Sequence, residues 1–142
     1  MVQRDLVTSK LAELAERVAR IQAKCPPDAA GLTADSDALD IVSFNLMLAV
    51  QVCADIASHI IADEEWVPAK SIAESFSRIE EQGVIGGATA DSLRRAVGLR
   101  NVVAHGYGHV DAKMVFAAAT AGLLDLDRFA REVAAWVRAR TA

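Results

Sequence analysis

Apolar residues recur along this chain with a helical period. Val7, Leu11, Leu14, Val18 and Ile21 follow steps of 4, 3, 4 and 3, which places them on one stripe. Glu13, Glu16, Arg17 and Arg20 fall on the opposite, wet side. This first predicted helix stops before Cys25-Pro26-Pro27, because proline disfavours the helical region for the residue before it. Pro26 to Asp35 reads as a loop. A second helix starts near Asp35 or Ser36, either of which caps a first turn, and runs to about Asp63. Leu39, Val42, Leu46, Val50, Cys53, Ile56 and Ile60 lie on one side of it, with Phe44 and Leu48 on another. A helix apolar nearly all round is expected to be buried on more than one face. One polar stripe crosses it, Gln51, Asp55 and His59, each four apart. That stripe suits either hydrogen bonds along a partly exposed face or a face turned to an interface or site.

Glu64 to Ala69 reads as a short connection. A third helix, Lys70 to about Gln82, carries Ile72, Phe76 and Ile79 and ends at Gly83. Thr89 is the expected cap of a fourth helix, which packs Leu93, Val97 and Val103 and is ended by Gly106 and Gly108. Asp111 caps a fifth, reaching Arg138, with Val115, Ala119, Leu123, Leu126, Phe129, Val133 and Trp136 as its apolar face. No stretch alternates at period two over a strand's length. The expected class is all-α: an antiparallel bundle of four long helices and one shorter one, forming one domain over residues 1–142.

Composition narrows the function classes. The chain has 142 residues, 53% of them hydrophobic and 24% charged, which excludes intrinsic disorder. The apolar content exceeds what a small bundle needs, so a homodimer is expected. The longest apolar run, Met114 to Leu124, is too short to span a membrane, and the polar start MVQRDLVTSK shows no signal peptide. Cys25 and Cys53 lie far apart and read as core fillers in a reducing cytosol, so a cytoplasmic location is expected. A net charge of −4 argues against broad coating of nucleic acid or membrane, but not against a local basic site.

Rare residues concentrate in Leu99-Arg100-Asn101-Val102-Val103-Ala104-His105-Gly106-Tyr107-Gly108-His109, where the only tyrosine and two of the three histidines fall within five positions. Arg94, Arg95, Arg100 and Lys113 make this end locally basic. Residues four apart on a helix differ by about 40° and residues five apart by about 140°. Asn101 and His105 therefore share a face, while Arg100 points away from His105. Two such helices meeting across a dimer axis bring both kinds of side chain into one groove. An imidazole serves as general acid or base near neutral pH, and a guanidinium forks onto phosphate. With no carboxylate cluster to hold a metal and no cofactor motif, that set suits metal-free cleavage of RNA by attack of the 2′-hydroxyl on the adjacent phosphate. Other readings exist. Arg100 and Asn101 can simply bind helix-end carbonyls or a carboxylate, and Tyr107 can be an ordinary half-buried tyrosine. A zinc pair at His105 and His109 is disfavoured, because Gly106 and Gly108 break the helix its spacing needs.

The run Arg100-Asn101-Val102-Val103-Ala104-His105-Gly106-Tyr107 resembles the signature of the HepT-like branch of the HEPN superfamily: an arginine followed by a polar residue, a histidine a few positions on, then any residue and a tyrosine. Asp55-Ile56-Ala57-Ser58-His59-Ile60, Glu74-Ser75-Phe76 and Gly83-Val84-Ile85 precede it in the order that family shows, so the resemblance covers about Leu39 to Phe129. It implies a dimeric helical bundle acting as a metal-independent endoribonuclease toxin of a type VII-like toxin–antitoxin system. It further implies a minimal nucleotidyltransferase (MNT) antitoxin as partner and RNA, either tRNA or mRNA, as substrate. Carried over residue by residue, Arg100 and His105 are the catalytic pair, Asn101 assists, and Tyr107 accepts AMP, which blocks the cleft with charge and bulk. Asp55, His59 and Glu74 match less specific blocks and are supporting residues only. Arg94, Arg95 and Lys113 are the expected RNA-binding cations. The alternatives are a non-catalytic module that binds nucleotide or a partner, and a plain structural bundle.

Overall fold

A computed structural model describes residues 4–105 and 110–141, and these residues contain helices and no strand. Seven helices follow in order: α1 (Arg4–Lys24), α2 (Ala29–Ala34), α3 (Ser36–Asp63), α4 (Ile72–Glu81), α5 (Gly87–His105), α6 (Ala112–Ala119) and α7 (Ala121–Thr141). α1 buries Val7, Leu14 and Ile21 against α3, as its 4-3-4-3 spacing requires. Arg17 of α1 donates to the buried Asn45 of α3 at 3.0 Å.

Two expectations about elements are corrected. The segment between Pro26 and Asp35 is not all loop. Asp28 accepts from the Gly31 N–H at 2.8 Å and starts the short helix α2, which drives Leu32 fully into the core. Six residues are too few to show a helical period in sequence. Asp35 then serves twice, ending α2 and accepting from the Ala38 N–H at 3.1 Å to start α3. The expected fifth helix is two helices. It breaks at Thr120, whose backbone leaves the helical region (φ −117°, ψ −87°) and whose hydroxyl donates back to the Phe116 carbonyl at 2.7 Å. Such back-bonding by threonine competes with the regular ladder.

α3 is the central element. It is long and apolar enough to cross a membrane by length and composition, which the reading of Met114–Leu124 as the longest apolar run overlooked. Here Val42, Leu46, Cys53, Ile56 and Ile60 are buried against its neighbours α1, α4, α5 and α6. Phe44, expected on a second buried face, is instead about half exposed. Phe76 of α4 and Phe129 of α7 meet edge to face with centroids 6.2 Å apart, and Trp66 and Trp136 do so at 6.0 Å. These pairs lock α7 across the bundle.

The third and fourth helices need smaller adjustments. α4 starts at Ile72, because Ser71 caps it by accepting from the Glu74 N–H, and Gly83 follows it with φ +78°. Thr89 is not the cap of α5. It sits inside the first turns, fully buried, accepting from Arg128 at 2.7 Å. α5 is covered unevenly. Ala90 and Leu93 are buried, but no residue from Arg94 to His105 is, and Val102 is exposed.

Candidate active site

The thinly covered C-terminal half of α5 carries Arg100, Asn101 and His105. Arg100 is half-buried and faces α3. Its Nη2 donates to Gln51 Oε1 at 3.0 Å, and its Nη1 donates to Asn101 Oδ1 at 3.0 Å. Its Nε is buried with no hydrogen-bond partner among the described residues. Gln51 in turn donates through Nε2 to Asp55 Oδ1 at 3.0 Å, and Lys10 of α1 lies 3.8 Å from the other Asp55 oxygen. A polar chain thus runs Lys10–Asp55–Gln51–Arg100–Asn101 across three helices.

His105 is the last residue of α5 and is exposed. Because α5 is helical from Arg100 to His105, the two lie about 140° apart around its axis. Within one chain the imidazole and the guanidinium do not converge. Tyr107 and the flanking Gly106, Gly108 and His109 lie outside the described residues.

A groove of about 320 Å³ opens beside Arg100, between α3, α5, α6 and α7. Leu46, Val50, Leu99, Met114 and Leu126 give it an apolar wall, while Arg95 and Arg100 add positive charge. Asp125 lines it too, but is paired with Arg128 at 3.0 Å.

The three expected RNA-binding cations separate. Arg95 and Lys113 are exposed. Arg94 is committed to the fold: it pairs with Glu80 at 2.9 Å and with Asp91, and donates to Ser77 at 3.0 Å. The Glu80 hydrogen bond, then that of Asp91, pushes its proton affinity still higher. The supporting residues separate as well. Asp55 reaches the site through Gln51. His59 lies eight residues past Gln51 along α3, about 12 Å away at helical rise, and its Nε2 sits 3.4 Å from an Asp63 carboxylate oxygen. Glu74 belongs to the start of α4, where its carboxylate accepts from the Lys70 N–H at 2.8 Å and pairs with Arg78 at 3.2 Å. Glu74 is thus bound to the start of α4, where the Ser71 hydroxyl also accepts from its N–H at 3.0 Å.

Gln51 is the site residue that motif reading passed over. Its signal was present, as one member of a polar stripe on an otherwise apolar helix.

Residues 11–133 match the family model of the HepT-like ribonucleases. The chain is 28% identical over 125 residues to the mRNA nuclease HepT of Shewanella oneidensis, covering 88% of this chain and 93% of that protein. Its fold is similar to that of a tri-AMPylated HEPN toxin from Shewanella oneidensis in complex with its MNT antitoxin, with a TM-score of 0.86 at 27% identity, covering 94% of this chain and 99% of the other. A cytosolic protein of Bacillus subtilis shares the fold alone, at 13% identity and a TM-score of 0.85, covering 98% of this chain and 93% of that one. A match over most of the length and a signature whose arginine and histidine sit on one continuous helix agree: the chain belongs to the HepT-like ribonuclease family.

Proposed function

We propose that this chain is the RNA-cleaving toxin of a toxin–antitoxin pair, acting as a homodimer with Arg100, His105 and Asn101 in its cleft. One observation carries the assignment of Arg100. Its guanidinium is tethered on the protein side by Gln51 and Asn101, at the mouth of a groove, while each terminal nitrogen keeps a second N–H. A half-buried cation held so, with no carboxylate bound to it among the described residues, is ready to receive an anion.

The chemistry follows from the groups present. A 2′-hydroxyl gives its proton to an imidazole and attacks the neighbouring phosphorus. The bond to the 5′-oxygen breaks, and that oxygen takes a proton from an imidazolium. The products are a 2′,3′-cyclic phosphate and a 5′-hydroxyl end. Arg100 stabilises the charge that grows on the non-bridging oxygens. Asn101 Oδ1 accepts from Arg100, which leaves the N–H groups of this exposed amide as neutral donors for the same phosphate.

Since Arg100 and His105 diverge on one α5 helix, the reading needs two copies, whose α5 ends share a cleft. Exposed Val102 on α5, Phe44 on α3 and Met114 on α6 supply apolar surface for such pairing. Exposed Arg95 and Lys113 contribute positive charge for the RNA backbone. Regulation is assigned by kinship. The Shewanella toxin's AMPylated state supports Tyr107, two residues past His105, as the AMP acceptor for an MNT-type nucleotidyltransferase. An RNA-cleaving toxin meets its substrate in the cytoplasm, which is where we place it.

The test is direct. Purified protein with chelator present is expected to cleave RNA to cyclic-phosphate ends, and Arg100→Ala and His105→Ala to abolish cleavage while preserving the helical circular-dichroism spectrum. Full activity in both variants would sink the assignment.

A further inference from the structure

We propose that Gln51 is a positioning residue: it sets the plane of the Arg100 guanidinium while leaving its charge intact for phosphate. The inference rests on the cleavage reading above and extends it to a residue on α3, 49 positions away in sequence.

Amide chemistry makes the arrangement directional. Gln51 has one accepting end and one donating end. An ionised Asp55 only accepts and Arg100 only donates, so a single orientation of the Gln51 amide satisfies both. Lys10 lies 3.8 Å from the second Asp55 oxygen, so both oxygens of that carboxylate have a partner. The Gln51 oxygen is thereby held toward Arg100. On the other side Asn101 takes an Nη1 proton. A planar group gripped at both terminal nitrogens has lost rotation about its long stem before RNA arrives, and preorganised donors act without reorganising in the transition state.

Neutrality at position 51 matters as much as reach. A carboxylate there would also accept from Arg100, but it would cancel the guanidinium charge and compete with phosphate. An amide oxygen orients and does not neutralise. The charge of Asp55 is kept one residue removed, where it acts on Gln51 and not on Arg100.

Two near-isosteric variants separate these roles. Gln51→Met keeps the side chain's length and removes the acceptor. Gln51→Glu keeps an acceptor and adds charge. With the full-length protein and a single-stranded RNA substrate, Gln51→Met is expected to lower kcat roughly 10- to 100-fold with KM nearly unchanged, as for a misplaced catalytic group. Gln51→Glu is expected instead to raise KM about tenfold and to flatten the dependence of RNA binding on salt, because one phosphate-neutralising cation is lost. Asp55→Asn alone is expected to lower kcat, and to add almost nothing to Gln51→Met, since both act through one chain of hydrogen bonds. Melting temperature and circular dichroism identify any variant that acts by unfolding, and a residue with a merely structural role would not split kcat from KM in opposite ways in two folded variants.

Gln51→Met cleaving within about threefold of the unaltered protein, with Arg100→Ala inactive, would overturn the positioning role alone. So would identical kinetics for Gln51→Met and Gln51→Glu, or a full additional loss from Asp55→Asn. Wild-type cleavage by Arg100→Ala would instead remove the reading on which the inference rests.

Discussion

Arg94 of α5 lies 2.9 Å from Glu80 of α4, and this pair removes the most buried of the expected RNA-binding cations from the surface available to phosphate. Hydrogen bonds to Asp91 and Ser77 complete its ring of partners. Arg94→Ala is therefore expected to cost about 1 kcal/mol of stability, the upper range for an ion pair that is not fully buried, and to leave RNA affinity within about twofold. Arg95→Ala and Lys113→Ala are expected to do the reverse, lowering affinity without lowering the melting temperature. Each would reduce the slope of log K against log salt by about 0.7, the value for one lost contact to single-stranded nucleic acid. Filter binding over a salt series, alongside thermal melts, checks both halves.

Arg100 contacts two acceptors from two different nitrogens, so a lysine cannot replace it. A single ammonium is a point charge and does not present a planar fork. Arg100→Lys is expected to retain much of the RNA affinity, to which charge contributes most, and to lose about 100-fold in kcat, to which fixed donors contribute. Steady-state kinetics measures this, and a Lys variant with wild-type kcat would show that charge alone suffices. Asn101→Asp is expected to be worse than Asn101→Ala, because a carboxylate beside Arg100 pairs with it and repels the incoming phosphate.

Much of this architecture was legible in the sequence, and the exceptions have physical causes. Long helices declare themselves through repeated apolar spacing, and α1 and α3 do so from Val7 to Ile21 and from Leu39 to Ile60. α2 did not, because its six residues include Gly31 and two alanines' worth of weak signal before a single anchor, Leu32. The break at Thr120 was hidden because the apolar period continues through it, from Val115 and Ala119 to Leu123 and Leu126. At the candidate site, Arg100, Asn101 and His105 are singled out by motif, since contiguous residues carry it. Gln51 was not, because its contact with Arg100 joins residues far apart in the chain and depends on how α3 packs on α5. The partners of Arg94 and Glu74 were hidden for a related reason. Residue type revealed their charge, but only packing showed that Glu80 and the start of α4 had already engaged them.

The short helix α2 depends on one glycine. A β-carbon at Gly31 would lie 2.5 Å from Cβ of Pro26, a distance that requires the backbone to shift. Gly31→Ala is therefore expected to destabilise the fold by about 1–3 kcal/mol, the range for overpacking, even though alanine is the better helix former. The loss comes through Leu32, which α2 holds in the core. Urea denaturation monitored by circular dichroism measures it, and kcat of the folded fraction is expected to be unchanged, since α2 does not carry a site residue.

Cys53 tests the burial of α3 directly. Its thiol is fully buried, and burial, only partly offset by a backbone hydrogen bond, pushes its pKa far above the ordinary range for cysteine. A raised thiol pKa means less thiolate at any given pH, and the thiolate is the reactive form. Cys25, at the end of α1, is only half-buried, and burial raises its pKa more modestly. In the native protein at mildly alkaline pH, a thiol reagent is expected to label Cys25 well before Cys53, which reacts only as fast as the bundle opens. Adding denaturant is expected to equalise the two, since unfolding returns both thiols to water. Mass spectrometry of a labelling time course resolves the order. Prompt labelling of Cys53 in the folded protein would mean that α3 is not the enclosed central helix on which the placement of Gln51 against Arg100 depends.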